Sequence, residues 1–367
     1  NVSKWGVAGY FGRFNYDYKG RYLLEFNVRH DGTSRFRADY RWKTFPSFSL
    51  GWNMAHEEFW ENLQDKISIL KLRASYGVLG NQNTSSLYPT YNTMPIGTAN
   101  SGWLINGKKG NTASAPGTLI RTSTTWETVR SLNVGFDAQA LNNRLAVNFD
   151  WFQRDTKDMI GPAPQLPVIL GVGVPKTNNT DLRTCGWEVT ISWRDNINSD
   201  MSYSVGFNLS DSQTEITRYP NENFDLGQPY YTGKKLGEIW GYETIGIAKS
   251  DQEMQDHLAS LPNGGQDAIS NIGWKAGDIM YKDLNNDGKI DGGANTLFDH
   301  GDKKVIGNNT PRYRFALNLG FTYKNFDIST ILQGVMKRDF WEGDWNFWGW
   351  TGWLWRSTCY EEHTDYF

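Results

Sequence analysis

Long stretches of this chain alternate between apolar and polar residues, and this period of two constrains the fold more than any other feature. In segment 22–29, for example, Tyr22, Leu24, Phe26 and Val28 alternate with Leu23, Glu25, Asn27 and Arg29. The pattern recurs in segments 70–78, 132–137, 187–193, 203–209 and 315–322. Because successive side chains of a strand point to opposite faces, the pattern predicts many strands with one apolar and one polar face.

These segments and some weaker ones predict about ten strands. They span residues 6–16, 21–30, 44–54, 67–79, 126–137, 144–156, 185–195, 201–213, 312–323 and 326–336. Most are ten residues or longer, whereas strands of ordinary globular proteins average about 5 to 6 residues. Eleven residues at about 3.3 Å each, tilted by about 45°, rise roughly 25 Å, which is the height of the apolar band on an outer-membrane barrel.

The connections between the predicted strands are alternately short and long. The short ones are 17–20, 138–143, 195–200 and 324–325, with a somewhat longer one at 55–66. The long ones are 31–43, 80–125, 157–184 and 215–311. Short periplasmic turns and long extracellular loops are typical of transmembrane β-barrels. Aromatic residues lie near the short-turn ends, where an interfacial girdle belongs: Tyr16, Tyr18, Tyr22, Trp52, Trp193, Tyr203, Tyr323 and Phe326.

Composition excludes other classes of protein. Hydrophobic residues make up 38% of the chain, and no run approaches the roughly 18 to 20 apolar residues of a membrane-spanning helix. A helical membrane protein is therefore excluded. The 37 basic and 40 acidic residues nearly balance and show no clustered basic excess, so no nucleic-acid partner is predicted.

A soluble β-sandwich would also alternate, because one face of each sheet lies on a core and the other meets water. The long strands, the unequal connections and the aromatic residues gathered at one end together favour a barrel. We therefore predict an all-β, antiparallel transmembrane β-barrel with long extracellular loops. Lipid cannot satisfy the edge of an open sheet, so these ten strands are expected to be a segment of a larger closed wall around a water-containing interior.

Short motifs follow one another along the chain. Residues 29–36 read RHDGTSRF, residues 45–52 read FPSFSLGW, and residues 70–77 read LKLRASYG, followed by Gly80 and Asn81. Residues 126–127 (WE), 133–137 (NVGFD), 186–188 (GWE) and 277–283 (GDIMYKD) continue the series. This ordered set resembles the motifs of the SusC/RagA family of TonB-dependent outer-membrane transporters of the Bacteroidetes, and it covers roughly residues 7 to 336.

The resemblance implies a barrel of about 22 strands that imports oligosaccharides, or in some members peptides. It also implies two partners: a SusD-like surface lipoprotein that closes over the barrel as a lid, and TonB, which pulls on a plug domain to open the route. The expected location is the bacterial outer membrane, with lipid around the wall. Interior-facing charges would tune selectivity or hold the plug: Glu25, Arg29, Lys71, Arg73 and Glu188.

The resemblance also sets the expected domain organisation. Residues 1–367 are expected to be part of the barrel, and residues 214–311 a long extracellular loop insertion within it. No stretch of the chain matches the plug domain, the TonB box or the N-terminal extension of the family. We therefore expect an interior segment of a longer protein.

Residues 283–291 read DLNNDGKID and match the first nine positions of an EF-hand-type calcium loop. Alternate positions supply the oxygen ligands that calcium prefers: Asp283, Asn285, Asp287, the carbonyl group of Lys289, and Asp291. Position 12 is Ala294, where an acid is expected, and the nearest acids are Asp299 and Asp302. Calcium is a candidate ligand that would brace the loop, and a solvated turn held by its own hydrogen bonds is the alternative. No organic cofactor is predicted.

Tryptophans are concentrated in segment 340–355. Trp345, Trp348 and Trp350 are candidates for contact with substrate or partner, because indole rings offer large, rigid surfaces that stack on sugars or proteins. Packing within a loop and placement at the membrane interface are the alternative roles.

No catalytic residue is predicted. His56 begins an HExxH-like segment that lacks the second histidine, and GxSxG, Walker A and GxGxxG motifs are absent. We therefore expect a nutrient importer and not an enzyme. Two alternatives stay open: a secreted, soluble carbohydrate-binding or glycan-degrading β-protein, and a TonB-dependent receptor for an iron chelate.

Overall fold

The computed structural model describes residues 4–84, 86–91, 94, 96–97, 104–110, 112–113, 119–120, 122–162, 169, 174, 176–271, 273–343 and 361. The chain divides into two compact units. The first contains Asn1–Pro220 and Tyr313–Gly334, and the second contains Asn221–Arg312 and Val335–Phe367. Each unit is described separately below.

The strands of the described residues are numbered in chain order. They are β1 Val7–Tyr18, β2 Tyr22–Thr33, β3 Trp42–Asn53, β4 Ile67–Asn81, β5 Ile96–Gly97, β6 Leu104–Ile105, β7 Lys108–Lys109, β8 Thr112–Ala113, β9 Glu127–Ala140, β10 Leu145–Gly161, β11 Thr177–Asn198, β12 Met201–Arg218, β13 Glu238–Tyr242, β14 Thr244–Ile247, β15 Ile279–Tyr281, β16 Lys303–Asn308, β17 Arg312–Tyr323 and β18 Phe326–Lys337. The helices are α1 Ala38–Arg41, α2 Asp251–Ala259, and two 3-10 helices at Met54–His56 and Glu58–Leu63. Within the described ranges, no helix is long and apolar enough to cross a membrane.

The first unit is built on a single ten-stranded sheet in the order β1-β2-β3-β4-β9-β10-β11-β12-β17-β18. The ten long strands lie side by side in chain order, with the short strands β5–β8 and β13–β16 in the connections, and the eight pairings from β1 to β17 are antiparallel. All ten strands predicted from the alternation are confirmed. The structure extends several of them, most of all β11 back to Thr177, β10 to Gly161 and β12 to Arg218.

The register aligns residues of like polarity in rows across the sheet. One row contains apolar and aromatic residues on nine strands: Tyr18, Tyr22, Trp52, Leu72, Phe136, Phe149, Val189, Leu209 and Phe315. Every side chain in this row is exposed or half-buried. A soluble sandwich would bury such a row between two stacked sheets, but here the ten strands lie in one sheet whose apolar face is open.

One cluster of buried apolar side chains in the first unit lies beside the first three strands and the start of β9. Phe36, Phe45 and Trp126 form it, with edge-on ring contacts at centroid distances of 5.7 and 5.4 Å. Within the 54–66 connection, Trp60 is buried and its indole NH donates to the carbonyl oxygen of Ile67 at 3.1 Å. Ile216 and Tyr219 are also buried, while many large apolar side chains on the strands of the sheet are exposed.

The second unit contains two small two-stranded sheets, β13 with β16 and β14 with β15, whose strands are far apart in the chain. The helix α2 begins after Ser250, whose hydroxyl oxygen accepts from the Glu253 backbone NH at 3.2 Å, an N-terminal cap. Met254 on this helix packs with Ala248 and Met280 in the buried core of the unit.

Candidate functional site

The short-turn end of the apolar face carries the aromatic residues that the sequence predicts there. Tyr18 stacks on Tyr22 at a centroid distance of 6.4 Å, and Tyr22 stacks on Trp52 at 6.5 Å. On β11 and β12, the indole NH of Trp193 donates to the hydroxyl of Tyr203 at 2.9 Å. Rings with an apolar body and a polar tip suit the boundary between hydrocarbon and water.

Basic side chains lie over three of these rings. Lys19 lies 5.5 Å from the ring centroid of Tyr18, and Lys324 lies 5.5 Å from that of Tyr323. Arg144 lies at the same distance from Trp193. In such a cation–π pair the apolar stem of the lysine or arginine lies along the aromatic ring, and its charged end stays in water.

The 54–66 connection is tied to the same end of the sheet. The indole NH of Trp52 donates to Glu57 Oε1 at 3.0 Å, and Arg21 Nη1 lies 3.4 Å from Glu57 Oε2. The hydrogen bonds from the Tyr22 hydroxyl and from Trp52 hold the pKa of the Glu57 carboxyl below its usual range. Glu57 therefore anchors this connection as a carboxylate.

A second aromatic group, which the sequence analysis missed, lies at the long-loop end of β1, β2 and β3. His30 stacks on Trp42 at 5.1 Å, and Trp42 stacks on Tyr10 at 6.1 Å. A ring nitrogen of His30 is 2.9 Å from Thr44 Oγ1. The alternation that begins at Tyr22 continues to His30 and provides a signal for it. The predicted start of β3 at residue 44 left Trp42 out.

The opposite face of the sheet is polar. One row contains Asp17, Leu23, Gly51, Arg73, Gly135, Asp150, Glu188, Ser210 and Arg314. In it, Arg73 Nη2 is 3.0 Å from Asp150 Oδ2, and Arg73 Nε is 2.8 Å from Asp137 Oδ2. Gly135 on β9 lies between Arg73 on β4 and Asp150 on β10, and a Cβ atom there would collide with the Asp150 carboxylate.

The charges predicted for the interior all lie on this polar face. Glu25 pairs with Arg13 at 2.6 Å, and Arg29 pairs with Asp31 at 3.2 Å. A recess of about 560 Å³ on the same face is lined by Lys71, Arg73, Asp150 and residues around them. The structure thus gives the polar face charges of both signs, part of them in ion pairs, which suits a water-filled passage.

The predicted calcium loop forms a tight turn in the second unit, and its carboxylates accept backbone NH groups. Asp283 Oδ1 accepts from Asn286 at 2.6 Å, and Asp283 Oδ2 accepts from Gly288 at 2.8 Å. Asp291 Oδ1 accepts from Gly293 at 2.8 Å. These bonds are those of the solvated-turn alternative.

Lys289 supplies a cation of its own to this loop. Its ammonium nitrogen lies 2.5 Å from Asp291 Oδ2 and 4.0 Å from Asp287 Oδ2. The hydrogen bond from Lys289 holds the pKa of Asp291 below its usual range. Asp302, one of the two substitutes for position 12, is fully buried and accepts from the Leu284 and Asp291 backbone NH groups at 2.8 and 2.9 Å.

The fit of this loop to calcium is therefore incomplete. Among the described residues, no group of three His, Cys, Asp or Glu side chains is placed to hold a metal ion. Asp283, Asn285, Asp287 and Asp291 offer suitable oxygens, but they are engaged in the turn. Calcium binding stays a prediction. The other predicted contact residues, Trp345, Trp348 and Trp350, lie outside the described residues.

Comparison with protein families finds one that matches nearly the whole chain. Residues 1–360 match the family model described as the β-barrel of TonB dependent receptor-like proteins. A TonB-dependent receptor of Formosa agariphila is 29% identical over 89% of this chain and 31% of its own length. The TonB-dependent receptor SusC of Bacteroides thetaiotaomicron is also 29% identical, over 90% of this chain and 31% of its own length. The chain thus spans about a third of the length of these curated relatives.

Solved structures show the same fold. The RagAB peptide importer in its open-open state matches with a TM-score of 0.69 at 20% identity, over 91% of this chain and 33% of the matched chain. The RagAB peptide transporter matches with a TM-score of 0.66 at 20% identity, over 90% of this chain and 33% of the matched chain. Both matches place the ten-stranded sheet within a barrel fold.

Proposed function

Because this chain belongs to the family of TonB dependent receptor-like β-barrels, we propose that it supplies part of the wall and outer loops of an active importer of oligosaccharides or peptides. The similarity to SusC and to the RagAB structures confirms the resemblance found in the motifs. Proteins of this family are outer-membrane transporters and not enzymes, so the predicted location and the absence of a catalytic role are confirmed as well.

The observation that supports import most directly is the division of the sheet into two faces. The apolar row from Tyr18 to Phe315 faces lipid, and the polar row that contains Arg73, Asp150 and Glu188 faces the interior. Alternating lipid-facing and lumen-facing residues are the property that lets a strand line a polar passage through hydrocarbon.

The open edges of the sheet support a larger wall. Within the described residues, β1 and β18 each have one neighbour in the sheet, and nearly all of their residues are exposed. An unpaired edge in hydrocarbon costs several kcal/mol per unsatisfied backbone group. Strands from the rest of the protein are therefore the proposed neighbours of both edges, since the chain spans only about a third of its relatives.

Three further features belong to this proposal. The 214–311 insertion would lie outside the cell, because it joins β12 to β17 at the end of the sheet opposite the short turns. A SusD-like surface lipoprotein would act as a lid over the loops, and TonB would drive transport. Calcium, if bound by residues 283–291, would brace the insertion and take no part in chemistry.

The test is to purify the intact protein from the outer membrane under mild detergent and identify its partners and retained ligand by mass spectrometry. We expect a SusD-like lipoprotein in a 1:1 ratio, and a bound oligosaccharide or peptide. Growth of a deletion strain on the identified compound should fail and return with the intact gene. Purification with an iron chelate and without a lipoprotein would contradict the proposal and favour an iron receptor.

A further inference from the structure

The apolar face of the sheet contains a groove that crosses β1 to β4 and β9. Its volume is about 560 Å³, within the range of about 300–1,000 Å³ that is typical of ligand sites. Four of its lining residues share one row of the register on the lipid-facing side: Leu24, Leu50, Ala74 and Val134. Tyr22 lines the same groove one lipid-facing position closer to the short turns. Ala74, between Leu50 and Val134, is the smallest side chain of the row and leaves the space that its neighbours enclose.

The groove runs along the membrane normal and not along a strand. Tyr22 on β2 shares a register row with Leu209 on β12, six strands further along the sheet. On β12, however, the aromatic residue of the short-turn end is Tyr203, six residues before Leu209. Relative to the register, the aromatic end therefore shifts by about one residue per strand, which at about 3.3 Å per residue and about 4.8 Å per strand is a tilt of about 35°. A line along the normal that starts at Tyr22 leans toward β3 and β4 and passes over Leu50 and Ala74.

A free cation lies at the short-turn end of this groove. The ammonium nitrogen of Lys19 is 5.5 Å from the ring centroid of Tyr18, and Tyr18 stacks on Tyr22, which lines the groove. The ammonium group is thus on the lipid-facing side, at the height of the aromatic residues. In the part of the chain that the structure describes, Lys19 has no ion pair and no hydrogen bond.

The carboxylates around this turn are engaged elsewhere. Asp17 lies on the polar face, opposite Leu23 in the register, and its Oδ1 accepts from the Gly20 backbone NH at 2.7 Å. Arg21 lies 3.4 Å from Glu57 Oε2 and 3.7 Å from Glu58 Oε1. An anion from outside the chain can therefore pair with Lys19 without displacing a carboxylate.

We propose that the groove and Lys19 bind one glycerophospholipid of the periplasmic leaflet, with an acyl chain over Ala74 and the phosphate at the ammonium group. The proposal rests on the proposed function, because it needs the sheet to be an outer-membrane wall with its short turns in the periplasm. An apolar groove along the normal matches the chain, and a single cation at its end matches the charge of the phosphate. A neutral lipid, or an apolar protein surface, would leave Lys19 without an anion.

The experiment measures the phospholipid retained by the intact protein. The protein is extracted from outer membranes in mild detergent and washed, and bound phospholipid per chain is counted by native mass spectrometry. Ala74→Leu fills the groove and should lower retention about tenfold. Ala138→Leu is the matched control, since it makes the same change on the lipid-facing side of β9 outside the groove, and it should retain the wild-type amount.

Lys324 provides a matched control for the charge. Like Lys19, it follows a tyrosine at a short turn and lies 5.5 Å from the ring centroid, here that of Tyr323, but no residue of β17 or β18 lines the groove. Lys19→Gln should lower retention about tenfold, and Lys324→Gln should leave it unchanged. Lys19→Arg keeps the charge and should retain phospholipid to within about twofold of the wild type.

A second arm separates the lipid from its parts. Delipidated protein is offered a phospholipid, a diacylglycerol without phosphate, or glycerol phosphate without chains, and only the phospholipid should bind. Equal binding of the diacylglycerol, or equal retention by Ala74→Leu and Ala138→Leu, would overturn the proposal. So would a loss of oligomeric mass in Ala74→Leu without a loss of lipid, which would assign the groove to a second protein copy. Recovery of each variant in the outer-membrane fraction is scored first, so a wrong location is distinguished from a wrong site.

Discussion

The guanidinium group of Arg73 on β4 reaches across β9 to the carboxylate of Asp150 on β10, with 3.0 Å between Nη2 and Oδ2. The two residues flank Gly135 in one row of the register. Only a residue without a side chain leaves this path free, because a Cβ atom there would collide with the Asp150 carboxylate and with the Phe149 carbonyl oxygen. The ion pair thus joins three strands on the polar face of the wall.

Gly135→Ala should destabilise the barrel by about 1–3 kcal/mol, because the added methyl group meets a backbone atom that cannot move cheaply. The measurement is urea unfolding of the intact protein, followed by its heat-dependent migration on gels. Gly206→Ala is the matched control on the same face, since its Cβ atom would meet Asn318 only at an ordinary 3.6 Å. Equal unfolding midpoints for the two variants would show that the space at Gly135, beneath the ion pair of Arg73 and Asp150, tolerates a side chain.

Leu209→Arg should destabilise the wall by about 2–4 kcal/mol, the cost of an arginine on the lipid side near the middle of the bilayer. Its neighbour Asn208 points to the opposite face, and Asn208→Arg should change stability by less than about 1 kcal/mol. Both variants are compared by urea titration in lipid vesicles. If the two substitutions cost the same, or the order is reversed, the assignment of the faces is wrong.

Lowering the pH should loosen the attachment of the 54–66 connection to the end of the sheet, because Glu57 holds it there as a carboxylate. The pKa of Glu57 is lowered in the folded state, so its contribution to stability is present above the ordinary glutamate value of about 4.3. It is lost as the pH falls through the lowered pKa. Hydrogen exchange of residues 54–66 between pH 7 and pH 3 checks this. Protection should fall only at the acid end, and Glu57→Gln should reduce it already at pH 7. Glu58→Gln, at a carboxylate whose side chain is 87% exposed, serves as control and should behave as the wild type.

The ammonium group of Lys289 competes with any metal ion for the carboxylates of Asp287 and Asp291. Calcium binding by this loop is accordingly expected to be weak, with a Kd of about 0.1–1 mM. Lys289→Gln removes the competing charge and should tighten binding about tenfold. Terbium luminescence with calcium competition measures both values, and Asp283→Asn should abolish the signal. If neither the wild type nor Lys289→Gln gives a signal, the loop does not bind calcium and is a turn held by its own hydrogen bonds.

The strands of the sheet could be predicted because lipid on one side and water on the other force a strict alternation. The predicted ends of β10 and β11 stopped short, at residues 156 and 185, for a physical reason. Lys157 and Asp158 follow the predicted end of β10, and Arg183 precedes the predicted start of β11, so charged residues interrupt the apolar half of the pattern there. The apolar signal therefore ends before the strand does.

The ion pair between Arg73 and Asp150 could not be predicted in the same way. The alternation places Arg73 and Asp150 on one face, but only the register brings them together across Gly135.

One element of the insertion, the start of the helix α2, could have been predicted from the sequence. Ser250 and Glu253 have the spacing of a capping box, and Glu253 Oε2 accepts from the Lys249 backbone NH at 2.7 Å. The paired strands of the insertion are only three to six residues long, too short to produce a recognisable period.

The most direct test is a scan of spin labels along β12, residues 201–218, in the intact protein reconstituted into bilayers. Accessibility to oxygen should peak at Tyr203, Val205, Phe207 and Leu209, and accessibility to a water-soluble nickel chelate should peak at the residues between them. Oxygen accessibility should end beyond Leu209, because the next residues on the same face of β12 are Asp211 and Gln213. A profile without a two-residue period, or one in which Val205 and Leu209 are reached by nickel, would contradict a wall between lipid and an aqueous passage.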